Sequence, residues 1–93
     1  MPSSQRKQKA FVLLDVEPGF ERKVMNDLLK IDEVREVHIV PGDWDLLAVV
    51  QTEKGIVVGS DERVYDVVID KIHKVRHIRD TNTMVSHFGK TKA

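Results

Sequence analysis

Two carboxylates flank a tryptophan in the segment Gly42-Asp43-Trp44-Asp45, which directly follows Pro41. Side chains two residues apart on a strand project to the same side, so Asp43 and Asp45 could together bind a cation or an ammonium group. Pro41-Gly42-Asp43 is also a typical turn sequence, in which Asp43 bonds its own backbone and Trp44 packs at an interface. The segment therefore predicts either a ligand-binding pair or a hairpin turn.

A second polar segment, Thr81-Asn82-Thr83, carries two hydroxyls on one face of a predicted strand. Threonine favours strands for structural reasons alone, so this pattern also has a structural interpretation. Of the four histidines, His73 and His77 are four residues apart, but a predicted helix-to-strand junction separates them and no ligand set emerges. The sequence has no Ser-His-Asp or Cys-His grouping and no phosphate-binding glycine loop. We therefore expect no metal, no cofactor and no enzyme activity.

The sequence that contains these candidate residues predicts four strands and two helices in the order β-α-β-β-α-β. Strands are predicted over residues 10–16, 36–40, 44–52 and about 76–88, from apolar β-favouring runs or from alternation of polar and apolar residues. The tight turn between the second and third strands predicts an antiparallel hairpin. The segment 53–59, with glycines at both ends of an Ile-Val-Val core, has no assigned structure or role.

Both predicted helices show apolar residues at helical spacing. The apolar stripe of the first helix begins at Phe20. Pro18 suits the first turn of this helix, and Glu17 and Glu21 suit its positive end. The second begins at Ser60 as N-cap, and its apolar stripe lies at positions 64, 65, 68, 69 and 72.

An internal sequence repeat supports this order of elements. The pattern K-I-x-x-V-R-x-[VI] occurs at residues 30–37 and again at 71–78. Each copy lies where a helix ends and a strand begins, so Ile31 and Ile72 should close the helix stripes while Val34 and Val75 pack under the loops. Two βαβ halves in one sheet predict an α+β, ferredoxin-like βαββαβ fold, with strand order 4-1-3-2 and both helices on one face of an antiparallel sheet.

The central strands indicate that the other face of the sheet is also covered. A sheet with one wet face alternates apolar and polar residues, but residues 11–14 and 46–50 are apolar throughout. A wet face would expose an apolar patch of several hundred Å², which is roughly the largest found on monomers. We therefore expect a dimer that associates through the sheets.

Composition excludes several classes of protein. The chain of 93 residues is 41% hydrophobic and 32% charged, which predicts one globular domain, here residues 10–89 between flexible tails at 1–9 and 90–93. Fifteen basic residues balance fifteen acidic ones, and the basic residues form no stripe along the chain. We therefore expect no direct DNA binding. No apolar run approaches the roughly 18 residues of a membrane span and no signal sequence is present, so the expected location is cytoplasmic. The absence of Cys excludes disulfides. Few Asn and Gln residues beside thirty charged ones are typical of a thermophilic source.

The stretch Val34–Val50, V-R-x-V-x-x-V-P-G-D-W-D-L-L-A-V-V, followed by I-R-D-T-N-T-M-V at residues 78–85, resembles the effector-binding domain of the Lrp/AsnC transcription regulators. That domain is known by a glycine, any residue, an aromatic and Asp-Leu in a hairpin, and by Thr-x-Thr in the last strand. The resemblance covers about residues 10–88. Family members carry an N-terminal helix-turn-helix, which nine residues cannot form, so the chain resembles the stand-alone form. The segment 53–59 is longer than the usual connection.

The resemblance implies an oligomeric amino-acid sensor in transcription regulation. Family domains dimerise through their sheets, commonly form octamers of four dimers, and bind amino acids in clefts between dimers. The implied ligand-binding residues are Gly42, Asp43, Trp44, Asp45, Thr81 and Thr83. Full-length Lrp/AsnC paralogues are implied partners, and we expect no direct contact with DNA or with a membrane. Two alternatives stay open: a small dimeric ferredoxin-like enzyme, and a structural assembly partner without a ligand.

Overall fold

The computed structural model describes residues 7–53, 68–86, 89–90 and 92. Its elements in chain order are β1 (Lys7–Val16), α1 (Glu21–Leu28), β2 (Val34–Ile39), β3 (Leu46–Glu53), the helical residues 68–73 (α2) and β4 (Ile78–Val85). No helix in the described ranges is long and apolar enough to cross a membrane. The predicted Ser60 N-cap, the first half of the second helix, the segment 54–59, and His87 lie outside the described residues.

The four strands form one antiparallel sheet in the order β2-β3-β1-β4. This is the predicted order, with the first and third strands at the centre, and it confirms the ferredoxin-like fold. β1 pairs with β3 from Lys7↔Glu53 to Leu14↔Leu46, and with β4 from Ala10↔Val85 to Val16↔Ile78. The register shifts between Asp15 and Val16, which is a bulge at the end of β1.

One face of the sheet packs against both helices and holds the core. Alternate residues of the central strands, which share a face because strand side chains have a period of two, are fully buried there. They meet one stripe from α1 and another from α2. The buried members are Ala10, Val12, Leu14, Val16, Leu46, Ala48 and Val50 from the sheet, and Val24, Leu28, Val68 and Ile72 from the helices.

The opposite face of the sheet, called here the open face, has no described helix over it. Its centre is apolar, with Phe11 and Leu13 from β1 opposite Val49 and Leu47 from β3. These side chains partly cover one another, and Val49 is only 9% exposed. On the edge strands the same face is polar, with Glu36, His38, Asp80 and Asn82, except for Met84, which is 46% exposed. The open face is therefore an apolar strip between polar margins.

Several element ends differ from the predicted ones. β1 begins at Lys7, three residues early, since its backbone pairs with β3 as far as Glu53. Pro18 and Gly19 form a turn before α1 instead of its first turn, with Gly19 in a positive φ of 91° and Phe20 as N-cap. β2 begins two residues early at Val34, and β3 begins two residues late at Leu46.

The two copies of the repeated pattern form the same backbone turn. The Val34 N–H donates to the Ile31 carbonyl at 3.0 Å, and the Val75 N–H donates to the Ile72 carbonyl at 3.0 Å. All four side chains contact or belong to the core. Ile31 lies beyond the end of α1, however, so only Ile72 belongs to a helix stripe as predicted.

Charges on α1 lie along its exposed side. Lys23 donates to Asp27 at 3.1 Å, one helical turn away, and Lys30 lies 3.5 Å from the other Asp27 oxygen. The hydrogen bond from Lys23 and the charges of both lysines hold the Asp27 pKa below its ordinary value. These ion pairs contribute little to the stability of the helix, because they are exposed and solvent screens them.

Candidate functional site

The hairpin between β2 and β3 contains four of the predicted site residues. The Val40 N–H donates to the Asp45 carbonyl at 2.8 Å, which closes a loop over Pro41 to Trp44. Gly42 has a φ of 140°, a conformation that favours glycine. The prediction that Asp43 and Asp45 project together from a strand is wrong, because β3 begins only at Leu46 and both residues lie in the loop.

The side chains in this loop differ in their surroundings. Asp43 is exposed, and its carboxylate forms no hydrogen bond with any described residue, so the expected bond to its own backbone is absent. Trp44 is half-buried. Gly42 and Asp43 are therefore accessible to a ligand or to a second subunit.

Asp45 fixes the hairpin to the end of β1. Its Oδ2 accepts a hydrogen bond from the Val16 N–H at 2.8 Å, and its own N–H donates to the Leu14 carbonyl at 2.9 Å. Val16 lies at the bulge, where the ladder to β4 shifts register. The carboxylate thus satisfies an amide at the point where regular pairing is interrupted. The structure therefore shows a turn-stabilising role for the Asp45 carboxylate.

The two threonines lie on β4, on the side of the sheet that carries the helices. Thr81 is paired with Leu14 and Thr83 with Val12, both core residues of β1. Both threonines are half-buried, and Thr81 Oγ1 lies 3.2 Å from His73 Nε2 at the end of α2. Asn82 points to the open face and is exposed.

Within one chain the hairpin and the threonines lie at the same end of the sheet but are not adjacent. Thr81 pairs with Leu14, and Leu14 pairs with Leu46, the residue after Asp45. Two strand spacings therefore separate them, which is about 10 Å. A ligand contacting both sets would need either that span or the hairpin of another subunit.

A cavity of about 450 Å³ lies between the hairpin and the start of α1. Arg22 and Glu21 line it from the helix, Ile39 and Pro41 from the end of β2, and Asp45 from the hairpin. Only Asp45 had been predicted as a site residue. Arg22 and Ile39 were missed because the contact of the helix with the hairpin depends on tertiary packing, and no local pattern marks it.

The junction before β4 holds a contact that sequence analysis also missed. His77 has a φ of 74°, the only positive φ of a non-glycine residue in the described ranges. Its ring stacks on Phe20 with centroids 3.7 Å apart and planes 11° apart, and its Nδ1 lies 3.5 Å from Glu17 Oε1. The Glu17 N–H also donates to the His77 carbonyl at 2.9 Å. The junction thus anchors the β1–α1 turn to the start of β4.

The described histidines lie apart and contact different partners. His38 lies 2.9 Å from Glu36 on β2, while His73 and His77 contact Thr81 and Glu17. In the described ranges no three His, Cys, Asp or Glu side chains lie close enough together to hold a metal ion.

Comparison with known proteins identifies the domain. A family model described as the Lrp/AsnC ligand binding domain matches residues 9–87. An uncharacterized HTH-type transcriptional regulator of Pyrococcus abyssi is 39% identical over 80 residues, which is 83% of this chain and 49% of the relative. The chain therefore spans about half the length of the curated relatives it matches.

Solved structures show the same fold. A hypothetical protein of Pyrococcus horikoshii superimposes with a TM-score of 0.68 at 30% identity, covering 88% of this chain and 92% of that one. A transcriptional regulator of Neisseria meningitidis, solved as an L-Met complex, superimposes with a TM-score of 0.69 at 15% identity, covering 92% and 53%. Since the family model extends over most of the residues, including the hairpin and β4, the chain belongs to the Lrp/AsnC ligand-binding domain family.

Proposed function

We propose that the protein is an oligomeric sensing module that binds an amino acid and acts in transcription regulation in the cytoplasm. The observation that carries the proposal is the hairpin, which Asp45 ties to β1 while Gly42 and Asp43 stay accessible. A binding loop fixed to a rigid scaffold is the usual construction of a small-molecule site. The matched domain is named for ligand binding, which favours a sensor over a small enzyme.

The ligand proposed for this module is an amino acid. Backbone groups around Gly42 and the hydroxyls of Thr81 and Thr83 can bind a ligand carboxylate, and the carboxylates of Asp43 and Asp45 can bind its ammonium group. The separation of about two strand spacings between hairpin and threonines supports a cleft completed by a neighbouring subunit. A relative of the same fold was solved with L-Met, which supports this class of ligand.

Assembly and partners belong to the same proposal. The apolar strip on the open face supports a dimer that associates through its sheets, and four dimers would give an octamer. The relatives that share this domain are HTH-type regulators. Full-length paralogues are therefore the proposed partners through which a bound amino acid acts on transcription, without direct DNA contact by this domain.

The test is calorimetric titration of the tightest-binding amino acid into Thr83→Ala and, as matched control, Asn82→Ala. Loss of the Thr83 hydroxyl should weaken binding by about 1–3 kcal/mol, the worth of one or two hydrogen bonds. Asn82→Ala removes a polar side chain one residue away on the opposite face and should leave the affinity unchanged.

Sedimentation of each variant separates loss of binding from loss of assembly. Weaker binding by Thr83→Ala with an intact oligomer supports the proposed cleft. Equal affinities for both variants would remove Thr83 from the site. If the unaltered protein binds no amino acid, the alternative function is that of a structural assembly partner without a ligand. The turn-stabilising bond of Asp45 is compatible with that function.

A further inference from the structure

A titratable side chain lies next to the threonines of β4, and the proposed function gives it no role. His73, the last helical residue of α2, holds its Nε2 3.2 Å from Thr81 Oγ1. We infer that His73 is a positioning residue for Thr81, so that protonation of the His73 ring strengthens binding of a ligand carboxylate at acidic pH. This inference rests on the proposed function, because it takes Thr81 as a ligand contact, and it adds control by pH to the same site.

The contact between the ring and the hydroxyl has two possible directions. A threonine hydroxyl has one proton to donate and two lone pairs that accept. If Nε2 of His73 carries no proton, Thr81 donates its proton to the ring and offers only lone pairs to a ligand. If Nε2 carries a proton, the ring donates, and the Thr81 hydroxyl proton is free for a ligand carboxylate. The protonation state of His73 therefore decides whether Thr81 is a donor or an acceptor in the site.

The neutral ring of His73 is not held in one tautomer by the described residues. Which nitrogen of a neutral histidine carries the proton depends on the partner of the other nitrogen, and His73 Nδ1 bonds no described residue. The imidazolium carries a proton on both nitrogens, so it leaves Thr81 only the direction that donates to the ligand. Because the ring is exposed, solvent screens its charge, and the hydrogen bond carries the effect.

The charged and titratable groups around the ring do not compete for it. They are Asp70, Lys71, Lys74, Arg76 and His77 on α2 and in the turn after it, and Arg79 and Asp80 on β4. Four of them, Lys71, His77, Arg79 and Asp80, lie instead against Glu33, Glu17, Asp15 and the Thr81 N–H. In the described ranges none forms an ion pair or a hydrogen bond with the His73 ring. From β1, the apolar Leu14 pairs with Thr81. Thr81 is therefore the one described side chain that bonds to the ring.

The experiment is calorimetric titration of the amino acids whose side chains do not titrate, L-methionine first, at about pH 5.5 and about pH 7.5. Histidine changes charge in this range, while ordinary carboxylates stay ionised. The unaltered protein should bind the tightest of these amino acids about three- to tenfold more tightly at the lower pH, the effect of one hydrogen bond.

Three variants separate the role of His73 from other effects of pH. His73→Gln keeps a polar side chain at that position without a titrating proton, so its affinity should be equal at both pH values. His73→Lys stays charged and should keep the tighter binding at both. His38→Gln, the matched control, removes an exposed histidine from the opposite edge of the sheet and should keep the pH dependence of the unaltered protein.

Thr81→Val replaces the hydroxyl by a methyl group of similar size and tests whether His73 acts through Thr81. This variant should bind more weakly than the unaltered protein and with equal affinity at both pH values. A pH dependence that persists in His73→Gln, or equal affinities of the unaltered protein at both pH values, would overturn the inference and leave the proposed function in place. If no amino acid binds at either pH, both fail.

Discussion

Asp45 has a structural role in addition to the ligand-binding role proposed for it. Its Oδ2 satisfies the Val16 amide and its backbone bonds Leu14, so the hairpin is held to β1 at the bulge. The residue type and the turn were readable from the sequence. The contact with Val16 was not, because it joins residues 29 positions apart and depends on the register of β1 against β3.

Asp45→Ala should lower the free energy of unfolding by about 1–3 kcal/mol, because the partly buried Val16 N–H loses its acceptor. Asp43→Ala, two residues away and exposed, should change it by less than about 0.5 kcal/mol. Denaturant titrations at equal protein concentration measure both. Equal effects of the two substitutions would show that the bond to Val16 does not stabilise the hairpin.

Junctions between elements were the least predictable part of this chain. Helical spacing and apolar runs identified α1, β1 and β3, since those patterns follow directly from burial of one face. Each copy of the repeated pattern was predicted to lie where a helix ends and a strand begins, and the same backbone bond forms there in both copies, at Val34 and at Val75. Yet β2 begins at Val34, whereas β4 begins only at Ile78. His77, with its positive φ, precedes β4, and no local sequence signal marks a left-handed histidine.

At position 77, glycine should be more stabilising than alanine. Both His77→Gly and His77→Ala lose the stacking on Phe20, but alanine keeps the steric penalty of a left-handed backbone, about 1–2 kcal/mol. Glycine loses part of this advantage because it makes the unfolded chain more flexible. We therefore expect the free energy of unfolding of His77→Gly to exceed that of His77→Ala by about 1 kcal/mol.

Position 73, in the helical part of α2, provides the control for this order. Glycine is less favourable than alanine in a helix, by up to about 1 kcal/mol, so His73→Ala should be the more stable of that pair. The same order at both positions would contradict the left-handed conformation of His77.

At the scale of the whole molecule, the topology followed from the sequence because the order of elements, the tight hairpin turn and the repeated pattern predict two βαβ halves in one sheet. The candidate site followed only in part. The motifs predicted the hairpin and β4 separately, whereas the structure shows that β1 lies between the β2–β3 hairpin and β4. The cavity beside Arg22 comes from the packing of α1 near the hairpin, which periodicity does not describe.

Leu47→Asp should disperse the assembly proposed for the open face. Leu47 lies at the centre of the apolar strip beside Leu13, and a carboxylate there would be buried unpaired in a dimer. Leu29→Asp adds the same charge at an exposed leucine after α1, outside the sheet, and should remain at least dimeric. Sedimentation velocity with circular dichroism distinguishes dissociation from unfolding. A folded Leu47→Asp variant that sediments like the unaltered protein would exclude association through the sheets.

The central claim, that this domain is an amino-acid sensor, is tested most directly by the thermal stability of the unaltered protein in the presence of each amino acid. A ligand that binds only the folded state at a hundred times its dissociation constant adds about 2.7 kcal/mol to the free energy of unfolding. The sensor function predicts that at least one amino acid raises the melting temperature in a saturable, concentration-dependent manner. No change with any amino acid at millimolar concentration would contradict it.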